Sequence, residues 1–176
     1  MESKSLKGEV RKSLGKADAK ALRNAGLVPC IIYGGEGNIH FSADKRQFKQ
    51  LIYTPDVYIV SIELDGKTYD TIMKAVQYHP ISDEVIHVDF QELTGRPVTL
   101  NLPVKLNGTP IGVRNGGLLV NPLKKLSVKG MAKEMDDAVL LDIDELRIGH
   151  SIKVKDLTIN GAEILNPGER VVVGVT

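Results

Sequence analysis

The sequence contains no tryptophan, and only 5% of its 176 residues are aromatic. Valine, isoleucine and leucine must therefore supply most of the packing, which favours strands over a large aromatic pocket. The one cysteine, Cys30, lies in the apolar run 28–33, where we interpret it as a small core residue. With no second cysteine the chain forms no internal disulfide, which is compatible with a reducing compartment.

Long apolar runs are also missing from the sequence. No stretch approaches 18 consecutive apolar residues, which is about the length that a membrane-spanning helix needs. The N-terminal decapeptide MESKSLKGEV has no apolar segment of the kind that secretory signals carry. We therefore expect a soluble cytoplasmic protein with no membrane partner.

Sequence motifs for metals and nucleotides are scarce. The four histidines are scattered, and neither a Cys-x-x-Cys nor a His-Glu-x-x-His motif is present. Gly34, Gly35 and Gly37 follow an apolar run, as phosphate-binding loops do, but no Lys-Ser or Lys-Thr pair comes next. We expect no cofactor and no metal site, and we interpret the glycine cluster as a flexible turn.

The formal net charge of +1 conceals an uneven distribution of charge. Residues 1–50 contain ten Lys or Arg against five Asp or Glu, whereas residues 51–93 contain two against eight. The first half of the chain is therefore dipolar, with a basic leading segment followed by acidic strands. The small net charge for this reason does not argue against a nucleic-acid partner.

A short amphipathic helix is predicted between Gly15 and Gly26, because Gly26 can end it and Pro29 prevents its continuation. One side carries cations at i, i+4 and i+7, and small residues form the other side. The cations, which we call the basic ridge, are Lys16, Lys20 and Arg23, and the small-residue side is Ala17, Ala21, Leu22 and Ala25. Arg11 and Lys12 lead into the helix. Taken alone, such a helix is also compatible with a solvated surface element.

Short strands and turn signals predict a mainly β fold. Within residues 1–93, several strands and two helices predict an α+β β-barrel whose openings the helices cover. Asp44 and Gln47 resemble a capping box at the start of the second helix. A boundary follows at a Thr-Gly-Arg-Pro stretch, and residues 94–176 are predicted to form a β-rich, sandwich-like domain.

One predicted strand alternates apolar and polar residues. Ile86, Val88 and Phe90 share an apolar face, whereas His87 and Asp89 share a polar one. The polar pair allows three interpretations. It is the solvated side of a sheet, an oriented general base, or a donor and an acceptor for RNA base edges and 2′-hydroxyls.

Tyr33 and Gln77 are further candidates for a binding site. Tyr33 ends its strand immediately before two glycines, where it could stack on a base or hydrogen-bond a phosphate, or cap the barrel core as a rim residue. Gln77 and His79 have the strand parity to extend the polar face beside His87.

Several motifs then occur in a recognisable order. The segments E-V-R-K-x-x-G-K, L-R-N-A-G-x-x-P-x-I-I-Y-G, V-Q-x-H-P and H-V-D-F resemble those of the bacterial large-subunit ribosomal protein family numbered twenty-five. The segment N-G-T-P-x-G-V-R-N-G-G at 107–117 continues the resemblance into the second half. This is the pattern of the two-domain form known as the general stress protein CTC. The resemblance covers nearly the whole chain.

The resemblance implies a structural, non-enzymatic constituent of the large ribosomal subunit. It implies that residues 1–93 grip the loop E region of 5S rRNA, where non-Watson–Crick pairs widen the minor groove. Neighbouring large-subunit proteins would be further partners, and the protein would be a monomer outside the ribosome. Any Mg²⁺ at the interface would be held by the RNA.

Carried over residue by residue, the resemblance also implies contacts. It assigns RNA contact to Arg11, Tyr33, His87 and Asp89, and a basic helix position to Arg23. Lys20 stands where relatives often have arginine, which favours a point-charge phosphate contact, and Asn24 replaces a frequent basic residue. The full set of predicted RNA-binding residues is Arg11, Lys12, Lys16, Lys20, Arg23, Tyr33, Gln77, His87 and Asp89. The cations would hold phosphates and the other residues would read a distorted groove.

Two other functions remain open at this point. The strand edges of residues 94–176 could bind a strand of a partner, which would make the chain a protein-binding β module. Alternatively, His87 and Asp89 could serve a small hydrolase, although the sequence offers no evident nucleophile for them.

Overall fold

The computed structural model describes residues 2–54 and 56–176 of the chain. Its contacts divide the chain between Arg96 and Pro97 into two compact units; the sequence predicted a boundary at the stretch 94–97, with domains 1–93 and 94–176. Strands predominate over helices in both units, so the prediction of a mainly β fold is confirmed. No helix among the described residues is long and apolar enough to cross a membrane.

The first unit alternates buried apolar residues with more exposed ones at residues 59–64, which is the pattern of a half-buried strand, whereas it is apolar almost throughout residues 27–33. In chain order its described elements are β1 (Ser3–Val10), α1 (Lys16–Asn24), β2 (Leu27–Tyr33), β3 (Ile39–Asp44), a 3-10 helix (Lys45–Phe48), α2 (Lys49–Ile52), β4 (Ile59–Leu64), β5 (Lys67–Tyr78) and β6 (Val85–Glu92).

These strands close into a barrel in the order β1-β3-β2-β6-β5-β4. Closure depends on the parallel pairing of residues 3–8 in β1 with residues 59–64 in β4, and β2 also runs parallel to β6. The predicted barrel in the first half of the chain is therefore confirmed. The parallel pairs join segments that are distant in sequence, and periodicity alone does not reveal such pairs.

Apolar side chains from each strand of the barrel fill its interior. The rings of Phe41 and Phe90 pack with their centroids 5.9 Å apart. Cys30 is fully buried in the same cluster, as predicted for a small core residue. The burial of such side chains is the dominant favourable contribution to folding. Other buried members of this core are Leu6, Val28, Ile32, Val60, Ile62, Leu64 and Val88.

The segment after β3 inserts Phe48 and Leu51 into the barrel core. The side chain of Asp44 caps its first turn by accepting a hydrogen bond of 2.7 Å from the backbone N–H two residues later. The predicted capping box is wrong, because Gln47 does not return a hydrogen bond to this cap. Its amide instead pairs with the backbone N–H and carbonyl of Lys7, 40 residues away.

The second unit, described throughout residues 97–176, is β-rich as predicted. Its elements are β7 (Val98–Asn107), α3 (Ile111–Arg114), β8 (Leu119–Val120), β9 (Lys125–Gly130), β10 (Val139–Asp142), β11 (Ser151–Lys153), a 3-10 helix (Val154–Asp156), β12 (Ala162–Ile164) and β13 (Val171–Val175). One sheet has the strand order β10-β7-β9-β12 and another has the order β11-β13-β8.

The turn after β7 shows why this unit needs a glycine at position 108. Gly108 has a φ of +92°, a conformation that L side chains rarely adopt. A Cβ there would also lie 2.3 Å from Asp144 Oδ1, the atom that accepts a 2.7 Å hydrogen bond from the Thr109 N–H. The Asn-Gly motif therefore serves a backbone turn that the carboxylate of Asp144 holds in place.

Candidate nucleic-acid interface

Strand β6 carries the predicted polar pair on the outer surface of the barrel. Its Val88 and Phe90 are fully buried, so the strand period of two turns His87 and Asp89 outward. The outward side chains are 26% and 29% exposed, respectively. They therefore present an imidazole and a carboxylate together on a surface that a partner can reach.

The two side chains of the pair touch one another. His87 Nδ1 lies 2.7 Å from Asp89 Oδ1, although Nδ1 makes no aligned hydrogen bond with any described residue. The contact is an ion pair when the imidazole is protonated.

Neighbouring strands bring two more predicted residues next to this pair. Gln77 in β5 lies opposite His87, and Tyr33 in β2 lies beside Gln91, two residues after Asp89. Adjacent strands are about 4.8 Å apart, so these side chains share one outward surface. We call Tyr33, Gln77, His87 and Asp89 the polar face.

The electrostatics of Tyr33 link it to the pair. Partial burial raises the pKa of the Tyr33 hydroxyl, and the negative charge of Asp89 raises it further. The Asp89 carboxylate is therefore close enough to influence the hydroxyl of Tyr33. A phenol is protonated at neutral pH and can donate a hydrogen bond, and the raised pKa preserves this donor in more alkaline solution.

Arg11, at the end of β1, is held against the first turn of α1. Its Nε and Nη2 both donate to Asp18 Oδ2, at 3.2 and 2.6 Å, and its side chain is only 9% exposed. The positive charge of Arg11 also opposes the rise that burial causes in the pKa of the Cys30 thiol, whereas Asp89 adds to that rise. Arg11 and Asp89 thus both lie within electrostatic reach of Cys30.

Helix α1 forms within the predicted range and ends at Asn24 with Ala25 as its C-cap. Gly26 follows with a φ of +79°, as predicted for the glycine that terminates the helix. Lys16, Lys20 and Arg23 are all exposed, as a cationic ridge requires. Near the end of the helix, Arg23 Nε donates a 3.0 Å hydrogen bond to the carbonyl oxygen of Ile86. The basic ridge is therefore joined to β6 at the residue before His87.

The predicted small-residue side of α1 is wrong in part. Ala17, Ala21 and Ala25 are exposed, and no residue of the helix is fully buried. The least exposed residues are Asp18, Ala19 and Leu22. The helix is oriented by the ion pair of Asp18 with Arg11 and by the hydrogen bond of Arg23 to a backbone carbonyl. A helical wheel cannot predict either contact, because it considers only the residues of the helix.

The structure thus brings most of the predicted residues together. Arg11 and Arg23 hold the two ends of α1, and Arg23 is bonded to the strand that carries half of the polar face. Lys12 and Lys16 are exposed around the start of the helix. His79 instead organises a turn, because its Nδ1 faces the backbone N–H groups of Ile81 and Ser82 at 3.3 and 3.2 Å.

Two residues near this surface were missed by sequence reasoning. Asp18 could have been suspected, because it is a lone acid within the basic segment and lies in the first turn of a helix. No feature of the sequence indicated a role for Glu92 at this surface. Its carboxylate occupies the space next to Gly35, where a Cβ would lie 1.8 Å from Glu92 Oε2. Gly35, the second glycine after Tyr33, therefore makes room for a carboxylate in addition to forming a turn.

In comparison with known proteins, each of the two units matches a known protein family. Residues 6–90 match the Ribosomal L25p family, and residues 97–176 match the Ribosomal protein TL5, C-terminal domain. The chain is 39% identical to a Large ribosomal subunit protein bL25 of Christiangramia forsetii, over 99% of this chain and 81% of the relative. The protein of that name from Azobacteroides pseudotrichonymphae is also 39% identical, over 99% and 94%. The chain belongs to the ribosomal L25p family.

Both halves of this L25p-family chain are matched, which identifies it with the two-domain form of the family. A third relative, the protein of the same name from Cytophaga hutchinsonii, is 40% identical over 94% of this chain and 87% of its own length. Membership in this ribosomal protein family makes the chain a structural protein rather than an enzyme. The interpretation of His87 and Asp89 as a hydrolase pair is therefore wrong.

Proposed function

We propose that this chain is a structural constituent of the large subunit of cytoplasmic bacterial ribosomes and that its first unit binds 5S rRNA. The names of its relatives support the place in the subunit, and the first unit supports RNA binding. The observation that carries the proposal is the hydrogen bond from Arg23 to Ile86. It fixes the basic ridge beside the polar face, so that attraction and recognition act on the same ligand.

Attraction to RNA comes from exposed cations. Lys12, Lys16, Lys20 and Arg23 are all exposed on or just before α1, where they can neutralise backbone phosphates. Such contacts release counterions and do not depend on sequence, so they set affinity and register rather than selectivity. Lys20 acts as a point charge, whereas the planar guanidinium of Arg23 offers paired donors.

Selectivity comes from the polar face. Asp89 can accept a hydrogen bond from the amino group of guanine, which is the distinctive donor of the minor groove. Gln77 and His87 can both donate and accept, and they lie opposite one another on adjacent strands. Tyr33 can stack on a base or bind a phosphate through its hydroxyl. A regular A-form helix keeps its bases paired and stacked, whereas a distorted internal loop exposes base faces and further edges to these side chains.

Arg11 has two tasks in this proposal. Two of its N–H groups donate hydrogen bonds to Asp18, and these bonds hold the start of α1 in place. An arginine has five N–H donors, so a remaining N–H group can contact the RNA through the 9% of the side chain that is exposed. Its charge is partly compensated by Asp18, and we therefore assign Arg11 more to geometry than to long-range attraction.

A footprint of 5S rRNA with the full chain tests this function. We expect protection of an internal loop with non-Watson–Crick pairs and a loss of that protection in Asp89→Ala. The affinity for 5S rRNA should fall about tenfold to a hundredfold, since one good base contact contributes ~1–3 kcal/mol. Weak binding to unrelated RNA should persist, because the substitution removes an acceptor and no cation.

The matched control is Glu63→Ala, which removes an exposed carboxylate from β4, paired with Lys7 at 3.4 Å. It should leave the footprint intact. A parallel loss of specific and nonspecific binding in Asp89→Ala would show that Asp89 maintains the fold. Recovery of a protein partner and no RNA from ribosomal extracts would favour the protein-binding module instead.

A further inference from the structure

A groove of about 320 Å³ lies between the end of α1, the start of β2 and the loop before β6. Its lining includes the cations Lys20, Arg23 and Lys45, and Glu84 is the one carboxylate among the described lining residues. Ile86 also lines it, immediately before the polar face. The groove is therefore a positively charged extension of the proposed RNA interface that our sequence predictions did not include.

The groove is positive although it borders the C-terminal end of α1. The last carbonyl groups of a helix carry partial negative charge and disfavour an anion. Two lysines and an arginine against one carboxylate outweigh this effect. Arg23 uses its Nε for the carbonyl of Ile86, and its terminal nitrogens are not involved in that hydrogen bond.

Glu84 and Lys45 form an ion pair at this groove. The hydrogen bond and charge of the Lys45 ammonium lower the pKa of the Glu84 carboxyl, with a smaller lowering contribution from His79. Both side chains of the pair are exposed, and exposed ion pairs are weak enough to be exchanged. An ionised Glu84 therefore competes with any other anion for Lys45.

We propose that this groove is a second phosphate-binding site for the RNA held at the polar face, and that a backbone phosphate replaces Glu84 as the partner of Lys45. The inference rests on the proposed function and names residues that it does not include. Lys45 begins the 3-10 helix after β3, so the RNA would contact both α1 and this second helical segment. Glu84 then limits affinity, since the RNA must displace it.

Opposite effects of two neighbouring substitutions test the inference. In 0.1 M monovalent salt, Lys45→Ala should weaken the binding of 5S rRNA by the full chain about five- to eightfold, the contribution of one released counterion. The slope of log affinity against log salt should shrink by about 0.7 to 0.9. Glu84→Gln should instead strengthen binding by about two- to fivefold, because the competing anion is removed.

The double variant separates local competition from general charge. If Glu84 acts by holding Lys45, Glu84→Gln should gain little in the Lys45→Ala background. An equal gain in both backgrounds would overturn the inference. Glu63→Gln makes the same charge change in the exposed pair of Lys7 and Glu63 on β1 and β4, and a gain as large as that of Glu84→Gln would overturn it too.

Including Asp89→Ala in the same titrations distinguishes the two proposals. Unchanged affinity in Lys45→Ala and Glu84→Gln, together with lost specificity in Asp89→Ala, would refute the groove and leave the proposed function standing. An absence of 5S rRNA binding by the unaltered chain would refute both. Near-native circular dichroism of each variant would confirm that an affinity change is not a loss of fold.

Discussion

Arg11 places two N–H groups on a single carboxylate oxygen of Asp18, with Nε at 3.2 Å and Nη2 at 2.6 Å. The arginine follows β1 and the aspartate lies in the first turn of α1. The ion pair therefore spans the bend between them and orients a helix none of whose residues is fully buried. A helix without buried residues gains little from the hydrophobic effect, so its position depends on a few polar contacts.

Replacing Asp18 should destabilise the first unit. In Asp18→Ala the guanidinium of Arg11, with a side chain only 9% exposed, loses its counter-charge. We expect the free energy of unfolding to fall by about 1–3 kcal/mol, the penalty for a polar group left unpaired in a poorly solvated site. Urea denaturation measures it. The comparison is Glu63→Ala in an exposed pair, which should change stability by less than about 0.5 kcal/mol.

Arg23→Lys separates charge from geometry. The substitution keeps a cation on the ridge but removes the planar group whose Nε binds the carbonyl of Ile86. We expect nonspecific RNA binding and its salt slope to be nearly unchanged, and the affinity for 5S rRNA to fall about threefold to tenfold as one charge-assisted hydrogen bond is weakened. Equal losses for both kinds of RNA would show that Arg23 contributes charge alone.

Salt dependence should report how many cations reach phosphates. Lys12, Lys16, Lys20 and Arg23 are exposed, whereas the side chain of Arg11 is only 9% exposed and is paired with Asp18. These four contacts predict a contribution of about −2.8 to −3.6 to the slope of log affinity against log salt, at ~0.7 to 0.9 per contact, and a phosphate on Lys45 adds about −0.7 to −0.9. Filter binding from about 0.05 to 0.2 M salt measures the slope. A flat profile would refute phosphate contact by the ridge.

Two glycines of the first unit should differ in their tolerance of alanine. A Cβ at Gly35 would meet the flexible carboxylate of Glu92, whereas one at Gly8 would lie 2.7 Å from Phe41 Cδ2 in the core. We expect Gly8→Ala to destabilise by about 1–3 kcal/mol, as overpacking does, and Gly35→Ala by less than about 1 kcal/mol. The midpoints of thermal unfolding of the two variants measure this difference in stability. Adding Glu92→Ala should relieve the strain of Gly35→Ala and leave that of Gly8→Ala unchanged.

Burial of Cys30 predicts a loss of stability in alkali. Burial raises the pKa of this thiol above its ordinary value of 9.0 in the native state, so the unfolded chain releases the proton first. The unfolded state then binds fewer protons, and stability falls by up to about 1.4 kcal/mol per pH unit above roughly pH 9. Unfolding of Cys30→Ala between pH 8 and 10.5 should show a shallower decline. Identical declines would contradict the assignment to Cys30.

The sequence predicted those parts of the site that depend on local periodicity. Alternation in β6 placed His87 and Asp89 outside and Val88 and Phe90 inside because a strand has a period of two, and the structure agrees for these four. Ile86, predicted on the same apolar face, is only half-buried, and the residue before it is buried instead, because the register with β5 shifts at this end of the strand. The extent of α1 followed from its glycines. Both predictions use residues within a few positions of one another, where backbone geometry leaves few alternatives.

The parts that were missed depend on contacts across long sequence separations. Gln47 was expected to cap its own helix, but it binds the backbone of Lys7, 40 residues earlier. The orientation of α1 depends on Ile86, 63 residues after Arg23, so the helical wheel assigned Ala17 to the wrong side. The closed barrel determines which distant residues come into contact. The periodicity of a sequence segment carries no information about such contacts.

The strand order has a consequence for the protein as it is synthesised. Strand β6 lies between β2 and β5 and joins them, yet it is the last strand of the barrel along the chain. A nascent chain that has emerged only as far as β5 carries its whole basic segment but has an open sheet with two unpaired edges, a form prone to association. It would attract any RNA nearby while still lacking Asp89. Under the proposed function, selectivity would begin only when residues 85–92 leave the exit tunnel and complete the barrel.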